Sequence, residues 1–270
     1  FNGSKWALYP IPDNQINNSI VRSVKAIGNK VYTGSYMDFG VWEKNNHGVL
    51  EYESIPDKLE IDIKQEEQFW NIEVVDNSIL FQSLSRIYLI NLFNYNVKII
   101  ESEQEIWNTF YIDDTVYFVK KNQGVYKIVN GEVVLLSTAP KLLSSKIVGV
   151  SKLDDKHMFI TRNNGILYFE NNVLKQWQLS PDIDVSKLAI YSSLQLNDSS
   201  LILGTISNGI IHIKPDGSLK YKIDFEKGLT NNTILSIFQD QKNNLWLGLD
   251  IGISHVNLSS KFRVYKDATG

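Results

Sequence analysis

The 270-residue sequence predicts an all-β chain in which one four-stranded antiparallel unit is repeated. Three observations carry this. An anchor followed by a β-branched residue recurs at Gly40-Val41, Arg86-Ile87, Gly124-Val125, Gly165-Ile166, Gly209-Ile210 and Gly252-Ile253, at steps of 46, 38, 41, 44 and 43 residues. Ahead of each anchor lies a short run that is apolar at mostly consecutive positions, as a strand buried on both faces requires. Ahead of each run sits a tight turn rich in Asn, Asp and Gly. A strand-only period of roughly 40–45 residues marks the blade of a β-propeller, where stacked blades bury both faces of their middle strands.

Within a blade the strands are numbered first to fourth from the axis to the rim. The second strands read Val31–Gly34, Ile79–Gln82, Val116–Val119, Met158–Thr161, Leu201–Gly204 and Leu245–Gly248, and the anchors open the third strands. The turns before the second strands are Gly28-Asn29, Asp76-Asn77, Asp113-Asp114, Asp154-Asp155, Asn197-Asp198 and Lys242-Asn243-Asn244. These residues tolerate the positive φ that short hairpin loops need. Further turns between third and fourth strands fall at Asn46-His47-Gly48, Asn130-Gly131, Asn171-Asn172 and Pro215-Asp216-Gly217. Helical capping signatures are scarce.

The expected organisation is a half blade over 1–12, then six blades over about 13–56, 66–103, 104–140, 143–181, 186–226 and 229–268. Phe1–Trp6 reads as the close of a third strand, a turn and the start of a fourth. Phe262–Tyr265 reads as the fourth strand of the last blade. A half blade would leave an unpaired sheet edge, which propellers normally close. The chain is therefore expected to belong to a seven-bladed or longer array.

Composition narrows the function classes. Hydrophobic residues make up 43% of the chain and aromatics 11%, as in a packed domain. The formal net charge of -3 provides no electrostatic footprint for nucleic acid. No cysteine is present, which removes disulfides, thiolate metal sites and a cysteine nucleophile. No P-loop, dinucleotide fingerprint, G-x-S-x-G or H-E-x-x-H occurs, so no cofactor and no metal are expected. His212 and His255 each follow an anchor glycine by three residues and read as strand residues filling one repeat slot. The turn carboxylates recur blade after blade, which argues for turn chemistry over catalysis.

The last blade is the most specific segment. It runs Gly228-Leu229-Thr230-Asn231-Asn232-Thr233-Ile234, then Asp240, then Asn244-Leu245-Trp246-Leu247-Gly248, then Gly252-Ile253. This resembles the two-component regulator propeller repeat of Bacteroidetes-type sensors, with Asn243 or Asn244 in place of the usual turn glycine and Leu249 in place of a threonine. Leu203-Gly204-Thr205 with Gly209-Ile210, and Tyr32-Thr33-Gly34, match in part. The resemblance implies an extracytoplasmic, periplasmic sensor propeller rather than an enzyme. In that family the propellers precede an immunoglobulin-like domain, a membrane helix, and a histidine kinase or helix-turn-helix output. It also implies docking against a neighbouring propeller or immunoglobulin-like domain of the parent chain, or a homodimer. A membrane-spanning transcriptional or two-component regulator would be the whole.

Candidate ligand residues lie where aromatics fall outside the core slots, at the start of each first strand. Trp70 stands nine residues before Ile79 and Trp107 nine before Val116, in one register. Tyr191 stands near the same place in the fifth blade, with Asn18 and Asn231 in the first and last. Tyr36, Asp38 and Arg162 come from loops between second and third strands. Flat rings with amide, carboxylate and guanidinium groups suit an oligosaccharide: apolar C–H faces on the rings, hydroxyls on the polar groups. Two other readings stay open on the residues, a propeller enzyme of lyase or glycosidase type and a ligand-free interaction scaffold.

Overall fold

The computed structural model describes residues 9–11, 20–129 and 131–259. Each sheet is an antiparallel meander of neighbouring strands. The first blade holds β1 (Ser23–Ile27), β2 (Lys30–Gly34), β3 (Phe39–Lys44) and β4 (Leu50–Ser54). The second holds β5 (Asn71–Val75), β6 (Ser78–Gln82), β7 (Arg86–Asn91) and β8 (Val97–Glu101). The third holds β9 (Ile106–Ile112), β10 (Thr115–Lys120), β11 (Gly124–Val129) and β12 (Glu132–Ser137). The fourth holds β13 (Ile147–Leu153), β14 (Lys156–Thr161), β15 (Ile166–Glu170) and β16 (Val173–Gln176). The fifth holds β17 (Ile190–Gln195), β18 (Leu201–Thr205), β19 (Ile210–Ile213) and β20 (Leu219–Ile223). The sixth shows β21 (Ile234–Gln239), β22 (Asn244–Leu249) and β23 (Ile253–Asn257). This is the four-stranded antiparallel blade repeat of a β-propeller.

All six predicted second strands are present, each extended by a residue or two at one or both ends. The fourth strand expected at Phe262–Tyr265 lies outside the described residues, as does nearly all of the half blade over 1–12. Two short helices, α1 (Ile55–Leu59) and α2 (Pro140–Leu143), link the first blade to the second and the third to the fourth. Ser54 caps α1 by accepting from the Asp57 N–H at 3.3 Å, with a proline in its first turn.

The turn residues behave as their chemistry requires. Gly28, Asp76, Asp113, Asp114, Asp154 and Asn243 all have positive φ. In the fifth blade the left-handed residue is Ser199 instead of Asn197 or Asp198. There Asp198 accepts from the Ser200 N–H at 3.1 Å, and this side-chain bond shifts the left-handed position one residue on. The anchor glycine of that blade answers a double demand. Gly209 has φ +65, and a Cβ on it would stand 2.1 Å from the Ile223 carbonyl oxygen in the neighbouring strand.

The chain divides into two compact units, 1–121 with 128–131, and 122–127 with 132–270, the division falling inside the third blade. In the first unit, Phe39, Phe69, Phe81 and Tyr88 form an aromatic core between the first and second blades. Phe39 stacks on Phe81 at 4.3 Å and meets Phe69 edge-on at 4.6 Å. Each fully buried ring contributes about 2–3 kcal/mol by leaving water. In the second unit, Ile160, Ile166, Ile190, Leu203 and Ile211 fill the space between the fourth and fifth blades. Ile202, Ile210, Ile234, Leu245 and Leu247 do the same between the fifth and sixth.

A repeated backbone contact joins consecutive blades. The loop after a second strand offers a carbonyl to the leading end of the next blade's first strand. Phe69 N–H donates to Ser35 O at 3.1 Å, Ile106 N–H to Leu84 O at 2.7 Å and Ile190 N–H to Arg162 O at 2.9 Å. In the last blade a side chain takes this part, Thr233 Oγ1 donating to Ile206 O at 2.6 Å.

Candidate functional site

The contact that joins the blades also builds the candidate site, because the residue that follows it turns out of the core. Phe69, Ile106, Ile190 and Ile234 are fully buried. The next residues are Trp70, Trp107, Tyr191 and Leu235. Trp70 is 42% exposed, Tyr191 45% and Leu235 38%, and Trp107 is half-buried.

The backbone shows how the side chain is turned. In the third blade Ile106 pairs with Lys120 and Thr109 with Phe118, so Trp107 and Asn108 share one partner position. In the fifth, Ile190 pairs with Thr205 and Ser192 with Gly204, which leaves Tyr191 as the extra residue. In the sixth, Ile234 pairs with Leu249 and Ser236 with Gly248, leaving Leu235. The fourth blade has the same one-residue shift at Val148. A β-bulge re-aims a side chain and bends the strand end, and here it repeats with the blade.

The first two blades reach the same slot without a bulge. Trp70 N–H donates to Gln82 O at 2.8 Å, and Arg22 N–H donates to Gly34 O at 2.8 Å. Arg22 is thus the first blade's counterpart of Trp70, a residue the sequence reading passed over. The signal was available, since Arg22 stands nine residues before Val31, as Trp70 does before Ile79. Asn18, the residue expected there, lies outside the described residues.

The first unit brings several of these groups together. The Arg22 guanidinium lies 4.7 Å from the Trp70 ring centre, a cation–π contact, and its Nε donates to Gln68 Oε1 at 2.9 Å. Gln68 in turn forms a β-bridge with Tyr36. Asp38, on the same loop as Tyr36, is engaged within its own blade. Its carboxylate oxygens accept from Tyr52 Oη at 2.7 Å and Ser54 Oγ at 2.8 Å. Burial raises the Asp38 pKa above the usual carboxylate value, and those two hydrogen bonds oppose the rise.

In the second unit, the Arg162 carbonyl receives the Ile190 N–H and so stands one residue from Tyr191. The Arg162 backbone N–H donates to Lys146 O at 2.8 Å. Asn231 lies ahead of the sixth blade's slot, and its Oδ1 accepts from the Thr233 N–H at 2.7 Å within a turn. None of the seven described sequence-derived residues lines the cleft of about 330 Å³ that this unit contains.

The arrangement at the slot can bind but holds no reactive constellation. The nearest approach to one is Ser200 Oγ, 2.7 Å from His212 Nε2 and also bonded to Asp198. Ser200 and His212 are both about 1% exposed, so no substrate reaches the hydroxyl. His255, on the equivalent strand of the next blade, packs on Trp246 at 4.6 Å. Among the described residues no group of three or more His, Asp and Glu is placed to hold a metal ion. No helix among them is long and apolar enough to cross a membrane.

No known family profile matches the chain, and no curated protein matches it in sequence. Solved structures do. The extracellular domain of BT4673 from B. thetaiotaomicron, described both as a one component and as a hybrid two component system, has a TM-score of 0.70 at 19% identity, covering 93% of this chain and 34% of that chain. The extracellular domain of the hybrid two component system BT3049 from B. thetaiotaomicron has a TM-score of 0.67 at 13% identity, covering 92% of this chain and 35% of that one. The WD40 β-propeller domain of Doa1 has a TM-score of 0.59 at 11% identity, covering 92% and 95%. The chain spans about a third of the length of the two extracellular domains. At these identities the likeness establishes the β-propeller fold.

Proposed function

We propose that this chain is a ligand-sensing propeller from the extracytoplasmic region of a membrane-spanning regulator. In this reading an oligosaccharide is recognised at the leading slot. The observation that carries it is the repeated exposure of Trp70 and Tyr191 immediately after fully buried Phe69 and Ile190. At a repeated position these rings offer flat apolar faces with a polar edge, the kind of surface on which a sugar ring packs. The Arg22 guanidinium over Trp70, itself bonded to the Gln68 amide, supplies polar groups beside that ring. The similarity to extracellular domains of two B. thetaiotaomicron signalling systems supports the sensor assignment. Ligand binding would then bias one of two arrangements that the regulator passes across the membrane.

Thermal melting of the complete extracytoplasmic region with a panel of neutral oligosaccharides tests this. A ligand at roughly a hundredfold excess over Kd adds about 2.7 kcal/mol, which raises Tm by about 5 °C or more in a domain of this size. The rise should vanish in Trp70→Ala and Trp107→Ala, both of which should still melt cooperatively. A panel without effect, or a rise untouched by either substitution, refutes the reading.

A further inference from the structure

The cleft of about 330 Å³ in the second unit is built from three segments that are separate in sequence. Asn163, Asn164 and Gly165 form the loop before β15. Gln176, Trp177, Gln178 and Leu179 continue the end of β16. Ile183–Ser186 lead into the short 3₁₀ turn over Val185–Lys187. The geometry points to a binding site here for a neutral polyhydroxylated ring, a site apart from the leading slot.

Several polar groups around the cleft are already occupied. Asn164 Nδ2 donates to Lys141 O and to Ser144 Oγ, both at 2.8 Å, and its N–H donates to Thr161 Oγ1 at 2.9 Å. The Asp184 carboxylate accepts from Ser186 Oγ at 2.5 Å and pairs with Lys187 Nζ at 2.9 Å, which together hold its pKa below the usual carboxylate value. Lys141 Nζ donates to Gln176 Oε1 at 2.5 Å. These groups shape the walls, and the Asp184 charge is balanced by Lys187.

Other groups are uncommitted. The side-chain amides of Asn163 and Gln178 and the Trp177 indole N–H make no hydrogen bond to any described residue, and both amides sit on exposed residues. Ser180 Oγ, one residue beyond Leu179, is buried with no hydrogen-bond partner. The Trp177 backbone is held by donation to Ile166 O at 2.8 Å, and its ring packs against the core of the fourth and fifth blades. The indole is therefore a fixed wall of the cleft.

The ligand class follows from this inventory. No lysine or arginine lines the cleft, and the nearby Lys187 is paired with Asp184, so no free cation is placed there to select an anion. The one carboxylate is paired, so nothing selects a cation. The uncommitted amides disfavour a purely apolar occupant, which would leave them unpaired. Amide groups beside a fixed indole match a ring with C–H faces and hydroxyl edges, and the volume lies at the small end of the range for ligand pockets.

The test reads the six tryptophan indole N–H signals by ¹⁵N-edited NMR, with the Trp177 signal assigned through Trp177→Phe. Maltose, cellobiose, lactose and sucrose are titrated singly to about 50 mM, which detects affinities down to the millimolar range. The Trp177 signal should move saturably with at least one of them. The double variant Asn163→Ala/Gln178→Ala, whose changes lie on exposed positions, should keep the other indole signals in place and bind at least about tenfold more weakly. A Trp177 signal flat or drifting linearly with all four sugars overturns the site, and so does a shift unchanged in the double variant. Movement of Trp70 or Trp107 alone overturns this site while supporting the leading slot, so the two readings fail separately.

Discussion

Replacing His212 by phenylalanine should flatten the stability profile of the protein between pH 7 and pH 4. The imidazole lies in β19 at 1% exposure. Its Nε2 is 2.7 Å from Ser200 Oγ, its ring stands edge-on to Tyr221 at 4.7 Å, and Nδ1 is buried without a hydrogen-bond partner. A neutral ring tolerates one unpaired nitrogen, whereas an imidazolium needs an acceptor for each N–H. Burial, reinforced by the Lys220 charge, pushes its pKa down from 6.5 to about 4, with Asp198 pulling the other way. In the unfolded chain the group titrates near 6.5.

Between those two values the unfolded chain carries the extra proton. Stability therefore rises with pH across that window and is lost as pH falls through it. At about 1.4 kcal/mol per pH unit, the loss specific to His212 reaches about 2 kcal/mol by pH 5 and about 3 kcal/mol by pH 4. Urea unfolding followed by tryptophan fluorescence, run on both proteins at each pH, measures it. The carboxylates titrate in both proteins and cancel in the difference. Phenylalanine will shift the baseline by removing the Ser200 contact, but only the slope is at issue. Parallel profiles for the two proteins would refute the argument.

Other substitutions probe the scaffold. Gly209→Ala should cost about 3 kcal/mol or more, combining left-handed strain with a Cβ placed 2.1 Å from the Ile223 carbonyl. Gly252→Ala, at φ +81 with open space around the Cβ, should cost only about 1 kcal/mol, and equal losses in urea unfolding would contradict the clash. Asp38→Ala strips the acceptor from Tyr52 and Ser54 and should lower stability by about 2 kcal/mol; a melting temperature unchanged from the parent would show that those hydroxyls find other partners.

The repeat was readable because it is written in local chemistry. Runs such as Ile79-Leu80-Phe81, bounded by turn residues and recurring with the blade period, fit a strand covered on both faces, and the Asp and Asn turns take positive φ by themselves. The Trp70 and Trp107 slot was readable by counting back nine residues from the second strand, and the same count reaches Arg22. Applied to the fifth and sixth blades it reaches Ser192 and Ser236, one residue past Tyr191 and Leu235. The turn between first and second strands is longer there: Gln195 pairs with Leu201 and Gln239 with Leu245, whereas in the third blade, which carries the same bulge, Tyr111 pairs with Val116. Where a strand pair begins is a property of how the two strands meet, and a fixed count along the chain does not carry it.

Asp38 shows the same division. Its place on a loop beside Tyr36 was plain from the sequence, but its engagement by Tyr52 and Ser54 depends on β4 returning beside that loop. The cleft around Trp177 is further removed still, since residues 163–165, 176–179 and 183–186 meet only after the fourth blade has folded and the chain has turned toward the fifth.

Period, strand positions and turn chemistry are therefore properties of the chain itself, because each depends on residues a few positions apart. Which side chains face water, which carboxylates are spent on neighbours and where a cleft opens depend on contacts between strands and blades. Those are set by register and packing, and one residue of slip changes every one of them.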